Sequence, residues 1–191
     1  LDPGFGKKHP GNIPGALVAN VLYYFTKPGD LVVDPMAGGG VTGDVCHALG
    51  RECVMADLHP HGERTDIAQH KIEDGPVPGT EGKADVVFLD PPYWTLNGDK
   101  YGEGSASSKS WAEWLKWLKD LAVAAFKTAK PGGIVCLLMQ DNVTKDITNG
   151  WSKPSTHCSV YELRRVGFVP VIQIACPLPF STGGPHDVVW A

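Results

Sequence analysis

Two runs in this chain hold residues whose types and order could do chemistry. One is Val33-Asp34-Pro35-Met36-Ala37-Gly38-Gly39-Gly40-Val41-Thr42, and the other is Phe88-Leu89-Asp90-Pro91-Pro92-Tyr93-Trp94. In the second, Asp90 supplies a carboxylate and Pro91 a carbonyl, whose direction is stiffened by the adjoining Pro92. Two such acceptors suit the two N–H bonds of an exocyclic ring amine. The lone pair of such an amine is delocalised into its ring and must be turned outward before it can attack. Tyr93 offers a flat face on which a flipped-out base can stack. Trp94 either extends that face or simply packs. The plainer alternative is a rigid turn with a capping Asp and a core Tyr.

The first run suits binding. Its glycines allow a tight turn and close approach of a ligand to the backbone. The helix that follows would aim free N–H groups and the positive end of its dipole at the same spot. Asp57 closes a second predicted strand about twenty residues on, where nucleotide-binding α/β folds place an acid for ribose hydroxyls. Dehydrogenases more often carry Gly-x-Gly-x-x-Gly without a leading Asp-Pro. A structural turn and a capping Asp57 are the alternatives.

The elements that must position these residues can be read from pattern. Apolar positions at helical spacing predict a helix over Ile13–Phe25, with Asn12 as cap and Pro14 in its first turn. Strands are predicted at Leu31–Asp34, Glu52–Asp57, Asp85–Leu89 and Ile134–Met139. Helices are predicted at Val41–Leu49, Trp111–Thr128 and His157–Arg165. Residues 59–83 read as polar, with one short helix and one short strand, and residues 96–109 as a Gly- and Ser-rich loop. Pro131-Gly132-Gly133 should stop the long helix, whose apolar stripe Trp111, Trp114, Leu115, Leu118, Leu121, Ala122 and Ala125 reads as core, with Trp117 at its edge. Val169–Cys176 and Asp187–Trp190 suggest a terminal strand pair. Strands alternating with helices imply an α/β domain with a mostly parallel sheet.

At 191 residues and a formal net charge of -4, the chain reads as one domain, 1–191. Its basic residues are scattered, which weakens a reading as a protein that grips duplex DNA by itself. The five cysteines form no Cys-x-x-Cys and suggest reduced thiols in a cytoplasmic protein. His59, His61 and His157 lack partner ligands at metal spacing, so no metal is expected. No apolar run reaches the roughly 18 residues of a membrane span, and residues 1–15 lack a signal-peptide pattern. Position 1 is Leu, which leaves open further residues at either end.

Taken together, the two runs resemble the motifs of the bacterial DNA adenine-N6 and cytosine-N4 amino-methyltransferases. These belong to the class I fold that uses S-adenosylmethionine. The resemblance covers nearly the whole chain and implies a Rossmann-like, twisted, mostly parallel seven-stranded sheet. One strand would be antiparallel, with helices on both faces. His9, Pro10 and the helix after them resemble the segment that touches the methionine end of the cofactor. Asp34, Pro35, Met36, Ala37, Gly38 and Gly40 match the family's cofactor turn, with Met36 and Gly39 substituted for its usual Phe and Ser. Asp57 fits the ribose-binding acid, and Leu58 would lie by the cofactor adenine. Asp90, Pro91, Pro92 and Tyr93 match the catalytic motif, and Tyr93 and Trp94 would hold the base. An Asp at the head of that motif leans toward adenine N6 in DNA. Cytosine N4, an RNA or other amine, and a non-catalytic partner subunit stay open.

Two departures stand out. Between Gln69 and Asp74 the family's acid for the cofactor adenine could be Glu73, Asp74 or neither. Residues 95–110 are also too few for the family's target-recognition segment. This implies a homodimer, a separate recognition subunit, relaxed specificity or single-stranded nucleic acid as substrate.

Overall fold

The computed structural model describes residues 4–9, 11–94, 101–141, 154–176 and 187–190. The chain runs α1 (Gly15–Phe25), β1 (Leu31–Asp34), α2 (Val41–Ala48), β2 (Glu52–Asp57), β3 (Ile67–Gln69) and β4 (Ala84–Leu89). It continues through α3 (Trp111–Thr128), β5 (Ala129–Met139), α4 (Ser155–Val166), β6 (Gln173–Cys176) and β7 (Asp187–Trp190). Short 3-10 turns lie at Ile72–Asp74 and Ala106–Ser108.

These strands form one sheet in the order β3-β2-β1-β4-β5-β7-β6. β3, β2, β1, β4 and β5 run parallel, while β7 pairs antiparallel with both β5 and β6. From β1 the chain winds outward to β2 and β3, then returns to lay β4 on the other side of β1. The winding therefore reverses between β1 and β4, and a crevice opens outside their carboxyl ends.

Strand alternation divides the core between the two faces of the sheet. Val33, Val87, Leu89, Leu137 and Met139 face α3 and Leu163 of α4. Val32, Val86, Phe88, Cys136 and Leu138 face α1 and α2. Both motif strands are thus buried on both sides, which explains their near-continuous apolar sequence.

Several expectations shift in detail. α1 begins at Gly15 with Pro14 as N-cap, and Asn12 does not cap it. The Asn12 amide instead donates to the Lys7 carbonyl at 2.6 Å. Pro131-Gly132-Gly133 does not delay the fifth strand, because β5 already begins at Ala129. A register irregularity opposite Ala84 and Val86 accommodates the inserted residues, with Gly132 at φ +78°. Of the predicted strand Val169–Cys176, only Gln173–Cys176 is extended. α3 follows its predicted bounds and opens with a reciprocal cap: Glu113 N donates to Ser110 Oγ, and Ser110 N to Glu113 Oε2 at 3.0 Å. No described helix is long and apolar enough to cross a membrane.

Candidate active site

A cavity of about 520 Å³ occupies the crevice. That is within the usual range for small-molecule sites. Its walls bring together residues 34–39 after β1, Asp57 and Leu58 after β2, and Asp90, Pro91, Pro92 and Tyr93 after β4. His9, Gly11 and Asn12 close one side, and Tyr101, Gly102 and Gly104 another.

The turn after β1 is held by backbone bonds. Met36 N donates to Asp34 Oδ1 at 3.0 Å, and Ala37 N to the Ala56 carbonyl at 2.9 Å. Gly38, at φ +50°, donates its N–H to Asp57 Oδ2 at 2.8 Å. The other oxygen of Asp57 accepts from His59 N at 2.9 Å. Asp57 thus already ties β2 to the glycine turn. A carboxylate has about four acceptor sites, so lone pairs remain for a ligand.

Gly39 matters more than the sequence pattern suggested. Lys7 N donates to its carbonyl at 2.7 Å, and an added Cβ would lie 2.2 Å from the Lys7 carbonyl oxygen. Only glycine lets residues 4–9 lie flat across the turn. Gly40, expected among the cofactor residues, does not line the cavity. It stands at φ +83° as the N-cap of α2, where a Cβ would strike the Arg64 guanidinium. Arg64 pairs with both oxygens of Asp66 and with Asp44 at 2.8 Å, and Asp44 also accepts from Gly6 N at 2.7 Å. This network fastens the N-terminal segment behind the turn. Pro10 lies outside the described residues.

Burial sets the electrostatics. Asp34 is only 3% exposed, and its carboxyl is pushed up to about 7. Loss of hydration is the main cause and the Asp57 charge adds to it; bonds from Thr42 and Met36 act the other way. Burial also lowers the His9 imidazole, against the opposing pull of Asp57. Glu73 lines the cavity, 4.0 Å from both Lys71 Nζ and Lys109 Nζ, whereas Asp74 does not line it.

The two aromatics after the prolines part company. Tyr93 lines the cavity and Trp94 does not. Trp94 donates its indole N–H to the Lys109 carbonyl at 3.0 Å and packs edge-on against Trp111, ring centroids 5.0 Å apart. Trp117, placed at the edge of the helical stripe by its spacing, is 5% exposed and forms part of the cavity wall. Opposite, the Tyr101 ring lies 5.9 Å from that of His9, and His59 Nε2 donates to the Glu103 carbonyl at 2.8 Å. Among the described residues, no His, Cys, Asp and Glu cluster could hold a metal ion. Cys46, Cys53, Cys136 and Cys158 are free.

Comparison with known proteins bears on this geometry. Residues 2–69, which carry the glycine turn and Asp57, match the model of the N6/N4 DNA methylase family. Over 69 residues the chain is 36% identical to the type II methyltransferase M.Cfr9I of Citrobacter freundii, covering 36% of this chain and 22% of that protein. It is 33% identical over 69 residues to the DNA adenine methyltransferase YhdJ of Escherichia coli, covering 34% and 24%. The chain thus spans less than a quarter of these relatives in the match. The Asp90–Tyr93 motif lies outside the family match.

Solved structures extend the likeness in fold to most of the chain. A TehB-like SAM-dependent methyltransferase from Corynebacterium glutamicum superposes with a TM-score of 0.60 at 15% identity, covering 94% of this chain and 88% of that one. A SAM-dependent methyltransferase from Methanosarcina mazei gives 0.58 at 12% identity, covering 89% and 94%. The fold is that of the class I SAM-dependent methyltransferases.

Asp34 generates a pH prediction. Its folded-state value of about 7 lies above the ordinary 3.8, so its contribution favours folding at low pH and is lost as pH rises through about 7. Asp34→Asn should therefore be more stable than wild type above that pH, by on the order of a few kcal/mol. The advantage should vanish below about pH 4. Denaturant melts at both extremes check this; a variant no more stable at the higher pH contradicts it.

Proposed function

We propose that this protein is an S-adenosylmethionine-dependent methyltransferase acting on an exocyclic ring amine, adenine N6 in DNA. One observation carries the reading: Asp90, Pro91, Pro92 and Tyr93 line the same cavity as the glycine turn and Asp57. One relative, YhdJ, is named a DNA adenine methyltransferase, which supports the choice of substrate. So does the Asp at the head of the second motif, by its resemblance to adenine-N6 enzymes.

The walls suit this cofactor. The cavity is lined by Asp34, Asp57, Glu73 and Asp90, and S-adenosylmethionine is cationic at its sulfonium and ammonium groups. His9, Asp34, Pro35, Met36, Ala37 and Gly38 would hold its amino-acid end, Asp57 its ribose hydroxyls and Leu58 its adenine. Glu73, which lines the cavity, would accept from the adenine amine. When bound, the cofactor supplies an electrophilic methyl group.

The remaining work falls to the chain. Asp90 and the Pro91 carbonyl would accept the two N–H bonds of the target amine and turn its lone pair toward the methyl donor. Tyr93 would stack the extruded base and fix its plane. Asp34 would gain a cationic neighbour, which lowers its affinity for a proton. Proximity in one cavity supplies much of the rate. The connection from Tyr93 to α3 is short, so the reading calls for a second copy, a recognition subunit, relaxed specificity or an already unpaired substrate.

Two substitutions separate the roles. Asp90→Ala should abolish transfer from labelled cofactor while the cofactor dissociation constant stays within about twofold. Lost cofactor binding in that variant contradicts the role given to Asp90. Asp57→Ala should weaken cofactor binding by about 1.5–3 kcal/mol, the usual loss for a bond to a charged acceptor. An unchanged dissociation constant by calorimetry removes Asp57 from the site.

A further inference from the structure

Of the two roles open to Trp94, a wall for the base or simple packing, the structure shows packing. Trp94 directly follows the Asp90–Tyr93 motif, yet it turns away from the cavity and into α3. There it meets two anchors. Its indole N–H donates at 3.0 Å to the carbonyl of Lys109, the residue just before the Ser110 cap of α3. Its ring stands edge-on to Trp111 at 5.0 Å, an arrangement aromatic quadrupoles favour.

Trp111 is itself fixed. It stacks on Trp114 with centroids 5.2 Å apart and planes 11° from parallel. Trp114 is fully buried, and its ring lies 6.4 Å from that of Trp117. Trp117 in turn lines the cavity, as Tyr93 does. Four indoles therefore run from the end of the motif through α3 and back to the cavity wall. Among the described residues the buried Trp114 N–H has no hydrogen-bond partner. A group left so costs about 1–3 kcal/mol, which a Phe at that position would avoid. The large flat surface, and not the N–H, is what this array uses there.

Lys109 joins a second wall to the same point. Its carbonyl holds Trp94, while its ammonium lies 4.0 Å from Glu73, another cavity residue. The start of α3 is thus a junction between the motif and the wall that carries Glu73.

We propose that Trp94 is a positioning residue: anchored to Lys109 and Trp111, it sets the angle at which the Pro91 carbonyl and Tyr93 face the target amine. Residues 90–93 form no helix or strand of their own. The two prolines stiffen this segment but do not orient it as a body. A misplacement of about 1 Å can cost a hundredfold in rate, so an anchor directly beside Tyr93 acts on transfer without touching substrate. The role rests on the amine-methyltransferase reading of the site.

The test uses full-length wild type, Trp94→Phe and Trp94→Ala. Phe keeps an aromatic edge against Trp111 but removes the N–H bond, and Ala removes both. Transfer to adenine-containing DNA should fall in kcat by about tenfold for Phe and about a hundredfold for Ala. The S-adenosylmethionine dissociation constant should stay within about twofold, since the cofactor walls are untouched. Amide exchange at Leu89, Asp90, Tyr93 and position 94 should quicken by about tenfold in the Phe variant while α3 keeps its protection. An unchanged kcat in a folded Phe variant, or unchanged local exchange, overturns the positioning role and leaves the reading of the site standing. Wild-type protein that binds cofactor but methylates no DNA overturns that reading, and this role with it.

Discussion

Everything in the site depends on one pairing, the parallel contact of β1 with β4. Val32 lies beside Val86 and Val33 beside Val87. These four residues are buried, one pair on each face of the sheet. Because the strands are parallel, both end at the same edge. Asp34 and Asp90 therefore emerge at the same edge of the sheet and line one cavity, although 56 positions separate them in the chain. A slip of one residue would turn each valine to the wrong face, so the core itself fixes the register of the two motifs. The crossover through α2, β2 and β3 adds Asp57 from the neighbouring strand end.

The turn between β1 and α2 is the second constraint. Three layers of contact converge on it: the His9 ring over Gly38, the Lys7 backbone on Gly39, and Arg64 over Gly40. Each needs the absence of a side chain for a different reason, and this accounts for three glycines in succession. Asp34, beneath them, carries a cost of burial that the bonds from Met36 and Thr42 only partly offset. A cationic ligand beside this carboxylate would offset part of that cost.

Much of this was legible in the sequence, for a physical reason. The motif strands are buried on both faces, so residues 31–33 and 86–89 stand out as unbroken apolar runs. The residues at their carboxyl ends follow directly. Asp57 was legible as the terminus of β2. What could not be read were contacts between segments distant in the chain. That Glu73 and not Asp74 lines the cavity follows from the 3-10 turn that carries both. Tyr101 and His59 meet the cavity through a loop without periodicity. Trp117 looked peripheral because helical spacing gives a stripe but not what each side of the stripe touches. Trp94 was open between two roles for the same reason: adjacency to Tyr93 says nothing about which way a side chain turns. Asn12 had the chemistry of a cap, but the Lys7 carbonyl offered a competing partner.

The central claim is that the shared cavity moves a methyl group to a ring amine in nucleic acid. Its most direct test is to incubate the protein with labelled S-adenosylmethionine and, separately, duplex DNA, denatured DNA or RNA, then identify methylated nucleosides by mass spectrometry. The account predicts N6-methyladenine in DNA, with the ratio of duplex to denatured product showing whether recognition needs a further element. No methylated nucleoside in any sample, with cofactor demonstrably bound, would contradict it.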